Sequence, residues 1–419
     1  MGFTAPPCWP NAKRHPFRET NSRTTKKLVK SLDSLSLVNH LKASLSRTLD
    51  FLPLLAGRFS STKHPDDDTL TSFSIICNNS GAEFTHAIAP ELTVKEIVES
   101  RYVPPVVHYL FPLNNIRNMD CVTKPLVGVQ VTELADGYFI GCTMSHSIGD
   151  GTCLWHFFNS WSEISRGFEF ISQNPILERW FPVDINPPIY FPLKLDDENL
   201  SSEQPILKER IFHLSEESVC QLKAKANSEM GTKSVSSLQA ILAHLWRSIT
   251  RCRGLNPNLE ITLSLMIGVR SRLNPPLPEE YWGNAIHFKT VKVTVADLLD
   301  HGLGFAALQM NKSIASEKYE EAINFYRGWV EKPLVFSKSS MYEANRLTLS
   351  SSPRFSVYSC DFGWGKPLAV RSGMANKGDG KVTIFPGAEQ GSIDIELCVV
   401  PQTLVAMEND AEFMEFITV

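Results

Sequence analysis

A mixed α/β architecture in two domains is predicted by three features of this chain. Strand-type and helix-type hydrophobic periodicities occur in both halves, so sheets and helices pack on one another. The 419 residues, 43% of them hydrophobic, suffice for two ordinary cores. Between the halves, residues 170–205 turn irregular, with Pro175, Pro182, Pro187, Pro188, Pro192 and the acidic run Asp196-Asp197-Glu198. This stretch reads as a crossover, kept on the surface by Trp180, Phe181, Ile189, Tyr190 and Phe191, and it divides the chain into domains 1–204 and 205–419.

The first residues read as irregular, punctuated by Pro6, Pro7, Pro10 and Pro16. Lys13, Arg14, Arg18, Arg23, Lys26, Lys27 and Lys30 face a single acid, Glu19. A solvated tail leading into a helix is expected there, with an organelle transit peptide as the alternative. A helix follows over 26–50, its apolar face made by Leu35, Val38, Leu41, Leu45 and Leu49. A turn at 51–59, strands at 71–78 and 83–87 and a helix over 93–101 capped by Thr93 come next, then a proline-rich loop over 103–115.

Val127, Val129 and Val131 alternate with Gly128, Gln130 and Thr132, which is strand periodicity. Asp136-Gly137 supplies a tight hairpin turn, since glycine tolerates the positive φ such turns use. The return strand runs from Tyr138 to Met144. Leu154, Phe157, Phe158, Trp161 and Ile164 then recur at helical spacing, so a helix begins near Thr152, with Asp150 or Thr152 as its cap. His146 therefore falls on a strand-to-helix turn, where a side chain is exposed but firmly held.

The second half opens with a strand over 207–213 and a helix from Ser215 bearing Val219, Leu222 and Ala226. A further helix over 234–250 turns Leu238, Ile241, Leu242, Leu245 and Ile249 inward, with His244 packed among them. A strand from Ile261 to Ile267 ends at Arg270, which places Arg270 and Arg272 on one face. Helices over 304–319 and 319–330 and strands over 354–360, 381–386 and 392–400 are expected, then a last helix after Pro401.

The net charge of −4 argues against a nucleic-acid binder that works by phosphate neutralisation. No apolar run approaches the roughly 18 residues a membrane helix needs. Nine cysteines, an odd number with no Cys-x-x-Cys pair, speak against a zinc ribbon or a disulfide framework, and make a reducing cytosol the simplest setting. His156 lies ten residues from His146 with no third ligand at metal spacing, so no metal is expected. No Gly-x-Ser-x-Gly elbow is present, and Ser145 points to the opposite face from its neighbour His146. The glycine-containing run 373–380 reads as a surface loop.

An imidazole ordinarily titrates near about 6.5, so it can take a proton from one group and give it to another. Placed as a general base it accelerates a reaction about 10²–10⁴-fold. Asp150 either orients the ring or braces the turn through a basic partner. Four residues across a turn favour bracing, with either Arg270 or Arg272 as the partner.

Ser145-His146-Ser147-Ile148-Gly149-Asp150-Gly151 and, half a chain later, Asp361-Phe362-Gly363-Trp364-Gly365 resemble the two signatures of the plant BAHD acyl-CoA-dependent acyltransferases. Leu54-Leu55-Ala56-Gly57-Arg58, Ser236-Ser237-Leu238-Gln239-Ala240, and the stretch Arg270 to Asn284 with Tyr281-Trp282-Gly283-Asn284 are similar as well, so the resemblance runs from about residue 40 to the C-terminus. It implies a chloramphenicol-acetyltransferase-like fold: two similar domains, the first carrying His146 and the second Asp361, with a channel between them. His146 would be the general base. Asp150, Arg270 and Asp361 would support the site, Gly363 and Gly365 allowing a sharp turn. Trp364 would touch the channel or an oxyanion, and Ser236, Ser237 and Arg253 would lie near the pantetheine and phosphates of CoA. The resemblance further implies a cytoplasmic monomer, acyl-CoA as co-substrate with no bound cofactor, and a small hydroxyl or amine acceptor. Family members begin with a strand and an aromatic-rich segment that this N-terminus lacks. A lyase using the same pocket, a condensation domain and an inactive small-molecule-binding relative are the alternatives.

Overall fold

The computed structural model describes residues 31–182, 184–192, 205–333, 343–375 and 377–418. The basic N-terminal stretch and the 193–204 end of the crossover, where the domain boundary was placed, lie outside them.

Helix α1 (Ser31–Phe51) buries Val38, Leu41, Leu45 and Leu49. Leu35, expected on the same face, is 52% exposed. Its partner helix ends too early: the carbonyl of Ser165 meets His40 Nε2 at 2.7 Å, leaving Leu35 a turn beyond the contact. After a 3-10 turn at Pro53–Ala56, β1 (Arg58–His64) pairs antiparallel with β2 (Asp67–Ile76). The run Phe59 to His64 is almost wholly polar, so β1 gave no apolar alternation to read.

A second small sheet holds β3 (Glu83–Ala89), β4 (Val127–Leu134) and β5 (Tyr138–Met144), with β3 parallel and β5 antiparallel to the central β4. Between β3 and β4, the short helix α2 (Val94–Val98) carries a capping box of Thr93 and Glu96. The hairpin at Asp136-Gly137 uses glycine for a different reason from the one expected. Gly137 is not among the residues with positive φ. A Cβ there would instead lie 2.9 Å from a Val94 methyl, while Asp136 Oδ1 accepts from the Val94 N–H at 2.7 Å. Next comes α3 (Gly151–Ser165), which packs on α1 through Trp161, whose indole donates to Ser44 Oγ at 3.0 Å. The crossover contributes β6 (Phe191–Pro192) to the edge of β2, where Phe191 stacks on Phe73.

The second half contains β7 (Lys208–Leu214), α4 (Glu216–Glu229), α5 (Ser237–Arg253), β8 (Glu260–Gly268), β9 (Ile286–Thr294), α6 (Val295–Asp300), α7 (Gly302–Ala315), α8 (Tyr319–Glu331), β10 (Arg346–Leu349), β11 (Lys381–Pro386), β12 (Ile393–Val399), α9 (Pro401–Glu408) and α10 (Ala411–Met414). Its six-stranded sheet runs β7-β12-β11-β10-β8-β9. β10 is parallel to both neighbours and the other pairs are antiparallel, so the sheet is mixed. Leu263, Leu265, Leu347, Val382, Ile384, Ile395 and Leu397 face a core completed by α5 and α7.

Residues 354–360 are not the strand their alternation suggested. They form a 3-10 turn at Val357–Ser359, and the sheet strand is β10, upstream. Val357 is 1% exposed, and the Phe355 ring lies against Gly151 of the first half. Phe362 goes further and joins the first half's core, edge-on to Trp161 at 4.7 Å.

His244 is 4% exposed, stacks on Phe413, and its Nε2 lies 3.2 Å from that residue's carbonyl. Burial pushes its pKa down to about 4. Its neutral form is thus required by the fold. The stability this gives is complete above the ordinary imidazole value near about 6.5 and is lost progressively as pH falls toward 4, by on the order of 3 kcal/mol. Urea unfolding at pH 7.5 and 5 is expected to show this loss in the wild type and a smaller one in His244→Gln.

Candidate active site

A cavity of about 2610 Å³ is lined from both halves of the chain, by Tyr138, Ser145, His146 and Trp155 on one side and Met266, Asn284, Phe288 and Trp364 on the other. The hairpin β4–β5 leads directly to it. Beyond Met144, the Ser145 N–H bonds to the Leu126 carbonyl at 2.8 Å and Ile148 N–H returns to the Ser145 carbonyl at 3.1 Å, a tight turn closed by buried Ile148. Gly149 is needed within it, since a Cβ there would lie 2.6 Å from Cys153 Cβ. His146 stands exposed on the cavity wall, and its ring makes no hydrogen bond to any described residue. Its carbonyl accepts from Asn284 Nδ2 at 2.8 Å, so the second half grips the histidine's own backbone.

Asp150 does not touch the imidazole. It is 3% exposed and caps α3, accepting from Thr152 N–H at 3.1 Å and Cys153 N–H at 3.4 Å. Both its oxygens also face Arg270, at 2.6 and 3.1 Å, and Oδ2 accepts from Ala285 N–H at 3.1 Å. Burial works against the Arg270 charge, yet Asp150 outweighs it and raises the pKa above the ordinary value. The same guanidinium donates to the carbonyls of Tyr281 and Gly283, each at 3.1 Å. Arg270 and Arg272 do not share a strand face, because β8 stops at Gly268 and a 3-10 turn follows. Arg272 folds back onto the Gly268 carbonyl. Cys153, beside Asp150, accepts from Gly283 N–H at 3.3 Å, and burial with that carboxylate pushes its thiol up to about 12. It is a neutral thiol at physiological pH. The clamp of Tyr281, Gly283, Asn284 and Ala285 had no role assigned from sequence, although its Trp-Gly-Asn block was visible.

Asp361 locks its own turn, Oδ1 accepting from Gly363 N–H at 2.7 Å and Gly365 N–H at 2.9 Å. Those bonds hold its carboxyl below the usual range. Both glycines sit near φ +100°, a region open essentially to glycine. Arg166 on the first half donates to the Asp361 carbonyl. Trp364, half-exposed on the cavity wall, tilts against Tyr138 with centroids 5.6 Å apart.

Ser236, Ser237 and Arg253 are not brought to this cavity. Ser236 caps α5, its hydroxyl accepting from Gln239 N–H at 3.3 Å while Gln239 Oε1 accepts in return at 2.8 Å. Ser237 begins that helix, which packs on the opposite face of the six-stranded sheet. The Arg253 side chain is 6% exposed and is occupied by Asp379 at 2.9 Å and the Ala344 carbonyl at 2.6 Å. Ser236→Ala is accordingly expected to cost about 1 kcal/mol of stability in denaturant titrations. It should leave CoA affinity, measured by calorimetry, within about twofold of wild type. Among the described residues no group of three His, Cys, Asp or Glu is placed to hold a metal, and no helix is long and apolar enough to cross a membrane.

The Transferase family model matches residues 24–414. An uncharacterized acetyltransferase of Arabidopsis thaliana is 38% identical over 386 residues, covering 90% of this chain and 87% of that protein. The BAHD acyltransferase DCR of the same plant is 32% identical, covering 90% and 80%. Among solved structures, TRI101 of F. sporotrichioides, complexed with coenzyme A and T-2, superimposes with a TM-score of 0.74 at 17% identity over 93% of each chain. That last likeness shows the fold. The chain belongs to the BAHD acyltransferase branch of the transferase family.

Proposed function

We propose that this protein transfers an acyl group from an acyl-CoA thioester to a hydroxyl or amine of a small plant metabolite, with His146 as general base. One observation carries this reading. The imidazole stands unencumbered on the wall of a cavity formed by both halves, on a turn whose every other polar contact is to the frame around it. His146 takes the acceptor's proton as its oxygen or nitrogen attacks the thioester carbonyl. The tetrahedral oxyanion needs donors set at its developing charge, and Trp364, which packs on Tyr138 at the far end of β5 from the His146 turn, contacts the channel rather than that oxygen. Collapse breaks the carbon–sulfur bond, and the imidazolium returns its proton to the CoA thiolate. Ser145 Oγ is bonded to Asn118 Oδ1 at 2.9 Å and Cys153 is protonated, so neither supports a covalent acyl-enzyme. The coenzyme A held by TRI101 supports acyl-CoA as the donor. Asp150 and Arg270 keep the turn in register, Asp361 shapes the second signature, and the two domains meet at the cavity.

The test is a panel of CoA thioesters offered to the purified protein with pooled plant metabolites, reading free thiol. Thiol release that requires both donor and acceptor is the expected result. Acceptor consumption at the same rate without any thioester would instead establish lyase chemistry.

A further inference from the structure

The cavity has a second polar feature, far from His146, on the exposed face of the six-stranded sheet. Side chains alternate across β8, β10 and β11, so the face opposite the core presents Ser264, Thr348 and Lys381 to the cavity, and Thr290 joins them from β9. These four are not scattered. Pairing sets Lys381 opposite Thr348, Thr348 opposite Ser264, and Ser264 opposite Thr290, a single row across four strands. None of the three hydroxyls makes a hydrogen bond to a described residue, and the Lys381 ammonium has no ion-pair partner among them.

The contrast with Lys377 is instructive. That lysine, also on the cavity wall, is held by Glu209 at 2.6 Å and by Glu396. Asp379 is taken by Arg253. Glu209 also meets His108 Nε2 at 2.8 Å. Each carboxylate around Lys381 is therefore already matched to another cation, and its other strand neighbour, Cys398, is a neutral thiol pushed up to about 12 by burial. Lys381 is part-buried, and an unmatched ammonium on the cavity wall beside three unused hydroxyls is a site that an anion completes.

We propose that the row Lys381, Thr348, Ser264 and Thr290 is a carboxylate-binding subsite that selects an acidic acceptor. This rests on the acyl-transfer reading for the word acceptor, but not for the binding itself. One ammonium balances one carboxylate. The phosphates of CoA carry several charges and would also meet the field of Glu396, which reaches this lysine, so a monoanion fits better. Spacing sets the ligand's size. Ser264 lies four residues before Gly268, about 13 Å along the strand, and Lys381 lies two strands, about 10 Å, to the side. Gly268 pairs with Ile286, two residues from Asn284 and hence beside the His146 turn. The acceptor's nucleophile and its carboxylate thus sit at opposite ends of an elongated molecule. Burial, with the Lys377 charge, lowers the Lys381 pKa to about 8. A bound carboxylate favours the charged form, so binding is tightest below pH 8 and weakens above it as the free lysine loses its proton.

The test is direct binding by titration calorimetry to the full-length protein, which needs no turnover. The probes are 4-hydroxybenzoate, 4-hydroxycinnamate and 10-hydroxydecanoate, each paired with its carboxamide. We expect at least one acid to bind about tenfold or more tightly than its amide. Lys381→Gln should abolish that preference while leaving amide binding unchanged, Lys381→Arg should keep it, and Thr348→Val should reduce it about three- to tenfold. CoA affinity should be the same in all four proteins. Absence of an acid preference across the panel, a preference that survives Lys381→Gln, or a loss confined to CoA binding would overturn the proposal. The last of these would assign the lysine to a CoA phosphate. Failure of every thioester in the turnover panel would count against acyl transfer and leave this result standing.

Discussion

His146→Ala is expected to lower kcat about 10²–10⁴-fold with thermal stability unchanged. The two halves of that expectation come from different parts of the geometry. The ring lies on the cavity wall and makes no hydrogen bond to a described residue, so its removal breaks no contact of the frame. The part of the residue that does hold structure is its carbonyl, gripped by Asn284, and alanine keeps that carbonyl. A steady-state thiol-release assay read beside a melting curve separates the outcomes. A variant that unfolds early would mean that the imidazole is a packing element, and one of undiminished kcat would remove it from the chemistry.

Asp150→Ala is expected to have the largest effect on stability, about 3–5 kcal/mol in urea unfolding. Removing the carboxylate strands the Arg270 guanidinium in a buried site and strips the first turn of α3 of its cap. The signature of the cause is coupling. Asp150→Ala combined with Arg270→Met should be more stable than the sum of the two single losses predicts, by about 1–3 kcal/mol, because the stranded charge disappears. Additive losses would show that capping, not the ion pair, carries Asp150's role. Activity should fall in both variants, since the turn they release is the one bearing His146.

Much of this site was legible because local signals converge on one short stretch. The alternation of Val127 to Val131, the helical spacing of Leu154 to Ile164 and a capping aspartate between them fix the position of His146 without any knowledge of the rest of the chain. The partner of Asp150 was legible only as a choice of two arginines, and the 3-10 turn at 270–272 decides it by sending them apart. Asn284 and the hydroxyl row were not legible. Asn284 acts by reaching a backbone carbonyl 138 residues away, and the row by register between strands, which is not written in either strand alone. The same limit explains β10, a four-residue parallel strand whose place in the sheet is set by β8 and β11 on either side. Ser236 shows two signals falling on one residue: it matches a family motif, and its hydroxyl also follows a local rule, the capping box of α5.

The central claim is that one imidazole moves a proton while an acyl group passes directly from thioester to acceptor. Single-turnover quench with a radiolabelled acyl-CoA, protein in excess, tests it most directly. The expected result is label appearing in the acceptor in step with free CoA, none on the protein at any time, and transfer slowed about 10²–10⁴-fold in His146→Ala. Label trapped covalently on the protein before the acceptor is added, or an acceptor product formed without release of CoA, would contradict it.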